Sequence, residues 1–169
     1  WGFSLYDPLV FTFQGWYPAS YYPWLNNVHY PSSTSDNPAN YILPTIPSNL
    51  YSTAYNAVNA YLDTPWNLTK QRAVLQPLTT WKANHPTSNP KVWCAEFGSL
   101  DQQQGSGQGG GVNPSDRIQF IHDRRQALED NNIGWAYWSY IETFTVLEPV
   151  GRIPFQKHIT KGEISRDTL

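Results

Sequence analysis

Sulfur, charge and hydrophobic length are all scarce in this sequence. Its 169 residues include one cysteine and no methionine. A lone Cys94 excludes an intrachain disulfide, and its place in an apolar run marks it as a small core residue. Thirteen acidic against eleven basic side chains leave a net charge of −2, with no basic run, which argues against a nucleic-acid-binding face. No apolar stretch is long enough to cross a bilayer and nothing reads as a signal peptide, so no membrane association is expected. The chain starts at Trp1 in place of Met, which leaves room for a leader or more ahead of it. The four histidines (29, 85, 122 and 158) lack metal-ligand spacing. The run Gly105–Gly111 lacks the Lys-Ser/Thr of a phosphate loop and opens no dinucleotide fingerprint. Neither a metal nor a cofactor is therefore expected.

Aromatic rings are what the sequence has in excess: eight Trp, eleven Tyr and seven Phe, 15% of the chain. Their flat apolar faces match the C–H faces of sugar rings, so a weakly charged, ring-rich protein is a candidate for carbohydrate binding. The competing reading is that rings fill a core, and for many of them it will hold.

The length suits one domain, residues 1–169. Phe3–Tyr6 reads as a short strand ended by the turn signal Asp7-Pro8, and Leu9–Gln14 is apolar. Gly15 opens an irregular stretch to about Asn49, with prolines at 18, 23, 31, 38, 44 and 47. Its rings, Trp16 and Trp24 foremost, make it a candidate substrate-binding loop. Ser48-Asn49 is a candidate cap for a helix to Asp63, with Tyr51, Tyr55, Val58 and Leu62 on one face. A second helix is expected over Leu68–Asn84, kinked at Pro77, with Leu75, Leu78 and Trp81 on one side. Asn67-Leu68-Thr69 is a glycosylation sequon, a slight pointer to a secreted or extracytoplasmic location.

Pro90–Ser99 then reads as a buried strand with one carboxylate, Glu96, where the strand gives way to Gly98. A charge there costs desolvation unless it has partners or a task. A Gly-rich loop covers 101–112, and Asn113-Pro114-Ser115-Asp116 starts a helix with Ile118, Ile121 and Leu128 inward. Ile133–Tyr140 is the third strand. Strands alternating with helices imply a parallel α/β sheet, or part of a barrel, whose chemistry collects at the carboxyl ends of the strands.

The segments Phe3-Ser4-Leu5-Tyr6-Asp7-Pro8, Phe11-Thr12-Phe13-Gln14-Gly15, Ala95-Glu96-Phe97-Gly98 and Ile133–Trp138, with Asp116-Arg117, Arg124–Glu129 and Gly162-Glu163-Ile164-Ser165, resemble in order and spacing the second half of glycoside hydrolase family 5, the cellulase family of (β/α)8 barrels. The resemblance implies a retaining β-1,4-glucan hydrolase. Glu96 would be its nucleophile, Tyr6 would hydrogen-bond that carboxylate, and Trp138 would floor the sugar site. Two family histidines are replaced, by Ser4 and by Phe13, and the family's acid-bearing pair would lie before Trp1. Glu142 and Asp7 are the candidate substitutes for the acid, each more ordinarily a surface or turn carboxylate.

Three readings follow: a hydrolase, alone or with a second polypeptide; a non-catalytic glucan-binding remnant; or a self-associating half-barrel. Raw edges at Phe3–Tyr6 and Gly134–Tyr140, with rings such as Trp93, Trp135 and Tyr137 uncovered, lead us to expect a homo-oligomer or a complementing barrel half. The other possibility is a cover formed by Gly15–Asn49.

Overall fold

The computed structural model describes residues 1–16, 20–86, 88, 90–101, 110–139 and 144. Three parallel strands, β1 (Gly2–Ser4), β2 (Trp93–Phe97) and β3 (Gly134–Tyr137), form one sheet in that order, with β2 in the middle. Among the described residues four α-helices lie between β1 and β2: α1 (Leu9–Thr12), α2 (Ser48–Asp63), α3 (Leu68–Val74) and α4 (Gln76–Ala83). The fifth, α5 (Pro114–Asp130), carries the chain from β2 to β3. This is the expected α/β arrangement, and the sheet is not closed. The strands are shorter than the sequence suggests, so Tyr6 lies beyond β1 and Trp138 just beyond β3.

The helices deviate from expectation in instructive ways. The helix expected over Leu68–Asn84 is two helices that break at Leu75, which is 2% exposed and belongs to the core. Pro77 sits in the first turn of α4, where its absent N–H removes no helical bond, so it marks a start rather than a kink. Asn67 caps α3 by accepting from the Lys70 amide at 3.1 Å, which gives the sequon asparagine a local structural use. In α2, Ala54, Val58, Tyr61 and Leu62 are buried. Tyr51 stays 42% exposed and stacks on Tyr55, so the inward face is rotated from the one expected. Pro47 precedes α2 and no side chain caps it.

The stretch 15–49 is less a loop than part of the core. Two 3-10 turns (Tyr22–Trp24 and Pro38–Tyr41) and an antiparallel bridge from Leu25 to Ile42 give it shape. Leu25, Val28, Tyr30, Tyr41, Ile42 and Ile46 are buried in the main cluster. Each such side chain contributes roughly 1.5–3 kcal/mol by leaving water. Gln14 substitutes for a strand partner: its amide donates to the Val28 carbonyl at 3.0 Å and accepts from the Val28 N–H at 2.9 Å. Gly15 has φ +76°, and a Cβ there would lie 1.8 Å from the Gly110 carbonyl oxygen, so only glycine fits. Cys94, the second residue of β2, is fully buried, and burial pushes its thiol up to about 11.

Helix α5 is the largest surprise. Asn113 caps it and Asp116 sits in its first turn, as its sequence suggests. Yet Arg117, Asp123, Arg124 and Arg125 are buried beside Phe120, Ile121, Ala127 and Leu128, while Ile118 is half-buried. Trp135 and Tyr137 are likewise half-buried and tied to α5. The Trp135 indole donates to Glu129 at 3.1 Å, and the Tyr137 hydroxyl accepts from Arg117 at 3.1 Å. Of the three rings expected on the open face, Trp93 alone is exposed, at 49%.

Candidate functional site

Glu96 stands one residue from the carboxyl end of the central strand. Both ladders lose regular register around it: the β1 pairing shifts between Phe3 and Ser4, and the β3 pairing shifts between Cys94 and Phe97. Irregularities of this kind re-aim a side chain that a regular ladder would hold in the sheet's alternation. The backbone stays anchored, because the Leu5 amide donates to the Glu96 carbonyl at 2.8 Å.

Across from it, the Tyr6 hydroxyl donates to Glu96 Oε2 at 3.2 Å. Burial first, then the charge of Glu96, pushes the phenol above its usual range, so Tyr6 remains a protonated donor. The turn that carries it is fixed from several sides. Thr12 Oγ1 donates to the Tyr6 carbonyl at 2.6 Å and reaches the Pro8 carbonyl at 3.2 Å. Arg124 Nη2 donates to the Asp7 carbonyl. The Tyr6 ring meets Phe13 and Phe144 edge-on at 5.6 and 5.8 Å. Phe13 thus places an apolar ring beside Tyr6 where the resemblance has a histidine, and Ser4 is the register partner of Glu96.

The third member is Trp138. Its amide donates to the Phe97 carbonyl at 2.9 Å, which brings the residue to the same end of the sheet as Glu96. Its indole is 45% exposed. The fit is close: a Cβ on Gly98 would lie 2.3 Å from the Trp138 carbonyl oxygen.

The other aromatic candidates are placed differently. Trp16 is half-buried against Phe13 at 5.9 Å and Phe144 at 5.4 Å, inside the cluster that backs Tyr6. Trp24 packs half-buried against the main core. Neither makes a hydrogen bond to Glu96 among the described residues. Phe144, buried and joined through its carbonyl to the Ser139 amide at 3.1 Å, is a support that no local pattern in the sequence marks.

Among the two candidate acids, Glu142 lies outside the described residues. Asp7 is exposed, and no hydrogen bond links its carboxylate to Glu96 among the described residues. Nor do the described residues contain a cluster of ligands able to hold a metal ion. No described helix is long and apolar enough to cross a membrane. The arrangement is thus a half-buried carboxylate with a hydroxyl donor on one oxygen, beside an open indole. That combination suits attack on an electrophilic carbon bound over the ring.

Below this shelf, Arg117 ties the loop after β2 to α5 and β3. Nη1 reaches Asp101 at 3.0 Å, Nη2 the Tyr137 hydroxyl at 3.1 Å and Nε the Ser99 carbonyl at 3.3 Å.

No protein-family model and no curated protein sequence matches the chain. Solved structures do. The cellulose synthase subunit Z (CcsZ) of Clostridioides difficile superposes over 94% of this chain and 38% of its own, at 15% identity and a TM-score of 0.57. An endoglucanase matches over 95% of this chain and 39% of its own, at 12% identity and a TM-score of 0.58. Cel5A of Thermotoga maritima, solved with cellobiose, matches over 94% and 37%, at 14% identity and a TM-score of 0.55. The chain therefore spans under two fifths of the length of these structures. At such identities the likeness speaks to fold, and it says that this open α/β unit corresponds to part of the barrel of cellulase- and endoglucanase-type glycoside hydrolases.

Proposed function

We propose that this chain carries the nucleophile-bearing part of a retaining β-1,4-glucan hydrolase. The observation that supports it best is the Tyr6–Glu96 hydrogen bond at the carboxyl end of the sheet, beside the exposed Trp138. In this reading Glu96 attacks the anomeric carbon as the glycosidic C–O bond breaks, and the leaving oxygen takes a proton from a second carboxyl group. Water then cleaves the glycosyl ester and returns Glu96 to its carboxylate. Tyr6 orients the attacking oxygen, and Trp138 offers its face to the sugar. The acid belongs about 5–5.5 Å from Glu96 in a retaining geometry. Glu142 and Asp7 are the candidates within these residues, and residues ahead of Trp1 or a complementing polypeptide are the other sources.

A second reading, glucan binding without turnover, draws on one observation. Among the described residues no second carboxylate hydrogen-bonds to Glu96 or Tyr6. Purified protein incubated with soluble cellulose separates the two. Release of reducing ends with retained anomeric configuration supports hydrolysis. Binding without release supports the remnant, and absence of both sinks the carbohydrate assignment. Trp138→Ala is expected to weaken glucan binding roughly tenfold in either case, about 1.4 kcal/mol.

We also propose that the open sheet is covered by a second chain, most simply a copy of itself in a two-fold dimer. Trp1, Phe3 and Leu5 line an apolar groove of about 570 Å³ with Leu75, Leu78 and Trp81 along the β1 side of the sheet. Trp1 is 81% exposed there, and such apolar edges recruit partners. Light scattering across a micromolar concentration series checks it. A mass that stays at 19.3 kDa throughout rules the dimer out.

A further inference from the structure

Arg124 is a fully buried guanidinium on the helix that packs behind the site. Among the described residues its Nε and Nη1 have no hydrogen-bond partner, and it lies 5.4 Å from the centre of the Phe120 ring. Its one recorded hydrogen bond, from Nη2, goes to the backbone carbonyl of Asp7. Burying an arginine for one backbone contact is costly, since methionine would fill similar space without desolvating a charge. What the contact holds is the turn directly after Tyr6. Thr12 fixes the carbonyl on one side of that turn, Arg124 fixes the next, and Tyr6 projects its hydroxyl to Glu96.

We infer that Arg124 is a positioning residue for the Tyr6–Glu96 pair, acting through the Asp7 carbonyl to set where the phenol stands. The inference rests on the proposed role of Glu96 for its catalytic meaning, and on geometry alone for its structural content. Arg124, on α5, thus holds the turn that follows β1, and the carbonyl it binds lies 117 residues away in sequence. A shift of the turn by about 1 Å would be enough to weaken a step that depends on near-attack geometry.

Two readouts test it separately. The first is the Cζ resonance of Tyr6 in protein labelled at tyrosine Cζ, assigned with Tyr6→Phe and followed at neutral pH. Arg124→Met is expected to move this line more than halfway toward its position in Glu96→Ala. Arg124→Lys, still able to reach the carbonyl, is expected to restore most of it. Arg124→Leu, which also lacks a donor, serves if the methionine variant fails to fold. A Tyr6 line unmoved in a folded variant whose side chain cannot donate to the Asp7 carbonyl, Arg124→Met or Arg124→Leu, overturns the inference, whatever the protein does to glucans. The second readout is glucan hydrolysis. Arg124→Met is expected to lower kcat roughly ten- to hundredfold with KM little changed. That loss should vanish in a Tyr6→Phe background, where there is no hydroxyl left to position. Equal losses in both backgrounds would overturn the coupling. A parent that binds but does not cleave would fail the hydrolase reading and leave the resonance test standing.

Discussion

Glu96→Gln is expected to end glucan hydrolysis, with kcat falling by about 10⁴–10⁶-fold. The amide keeps the size of the carboxylate, and its oxygen can still accept from Tyr6, so the folded state should hardly notice the change. It cannot form the glycosyl ester, because a neutral amide is a poor nucleophile at the anomeric carbon. Tyr6→Phe should lose much less, since orientation of one oxygen is removed and the nucleophile remains. Glu96→Ala adds a sharper reading. It opens space for a small anion such as azide, which would attack from the same face and leave a glycosyl azide of inverted configuration. Circular dichroism checks that these variants fold, reducing-end assays read hydrolysis, and proton NMR of the products reads the glycosyl azide and its configuration. Parent-rate hydrolysis by Glu96→Gln would place the chemistry elsewhere.

The largest stability loss is expected from Arg117→Ala, at about 3–5 kcal/mol. Arg117 and Asp101 form a buried pair, with side chains 1% and 7% exposed. The truncation removes the cation beside a desolvated carboxylate and takes a donor from the Tyr137 hydroxyl and the Ser99 carbonyl. Denaturant titration of Arg117→Ala checks the magnitude. Replacing both partners, as Arg117→Met with Asp101→Asn, should recover a large share of the loss, because the charge then no longer needs its counterion. If Arg117→Ala unfolds with the parent midpoint, the pair is not structural.

This pair also shows why the sequence is legible in some places and opaque in others. The strand bearing Glu96 is announced locally, by Pro90 before it, apolar β-prone residues within it and Gly98 after it. The start of α5 is equally local, since Asn113, Pro114 and Asp116 act within one turn. The face that α5 buries is not. Reading it by apolar spacing selects Ile118, Ile121 and Leu128, but the fold buries Arg117 and Arg124 as well. Their partners, Asp101 and the Asp7 carbonyl, come from other elements, so no window along the helix contains the reason. The same holds for Trp16. A ring in a proline-rich stretch suits an open platform, and only the arrival of Phe13 and Phe144 turns it into packing. Helix α1 has no sequence signature because it is only four residues long, three of them apolar, and Pro8, which precedes them, offers no side-chain cap. At the site, the strand pattern alone marks Glu96, the resemblance supplies its role and adds Tyr6 and Trp138, and geometry supplies the hydrogen bond and the shared sheet end.

Cys94 gives the molecule a built-in clock. It is the single thiol of the chain, it lies in the middle strand of the sheet, and it has no exposed surface. With its pKa pushed up to about 11, roughly one thiol in ten thousand is ionised at pH 7 while the strand stays closed. An alkylating reagent therefore has almost nothing to react with until β2 separates from a neighbour. Once it does, an ordinary thiol meets the reagent and is marked for good. The pace at which mass is added to Cys94, set against that of an unfolded thiol, then reads the fraction of time the sheet stands open at a point two residues from Glu96, without any probe having to be installed.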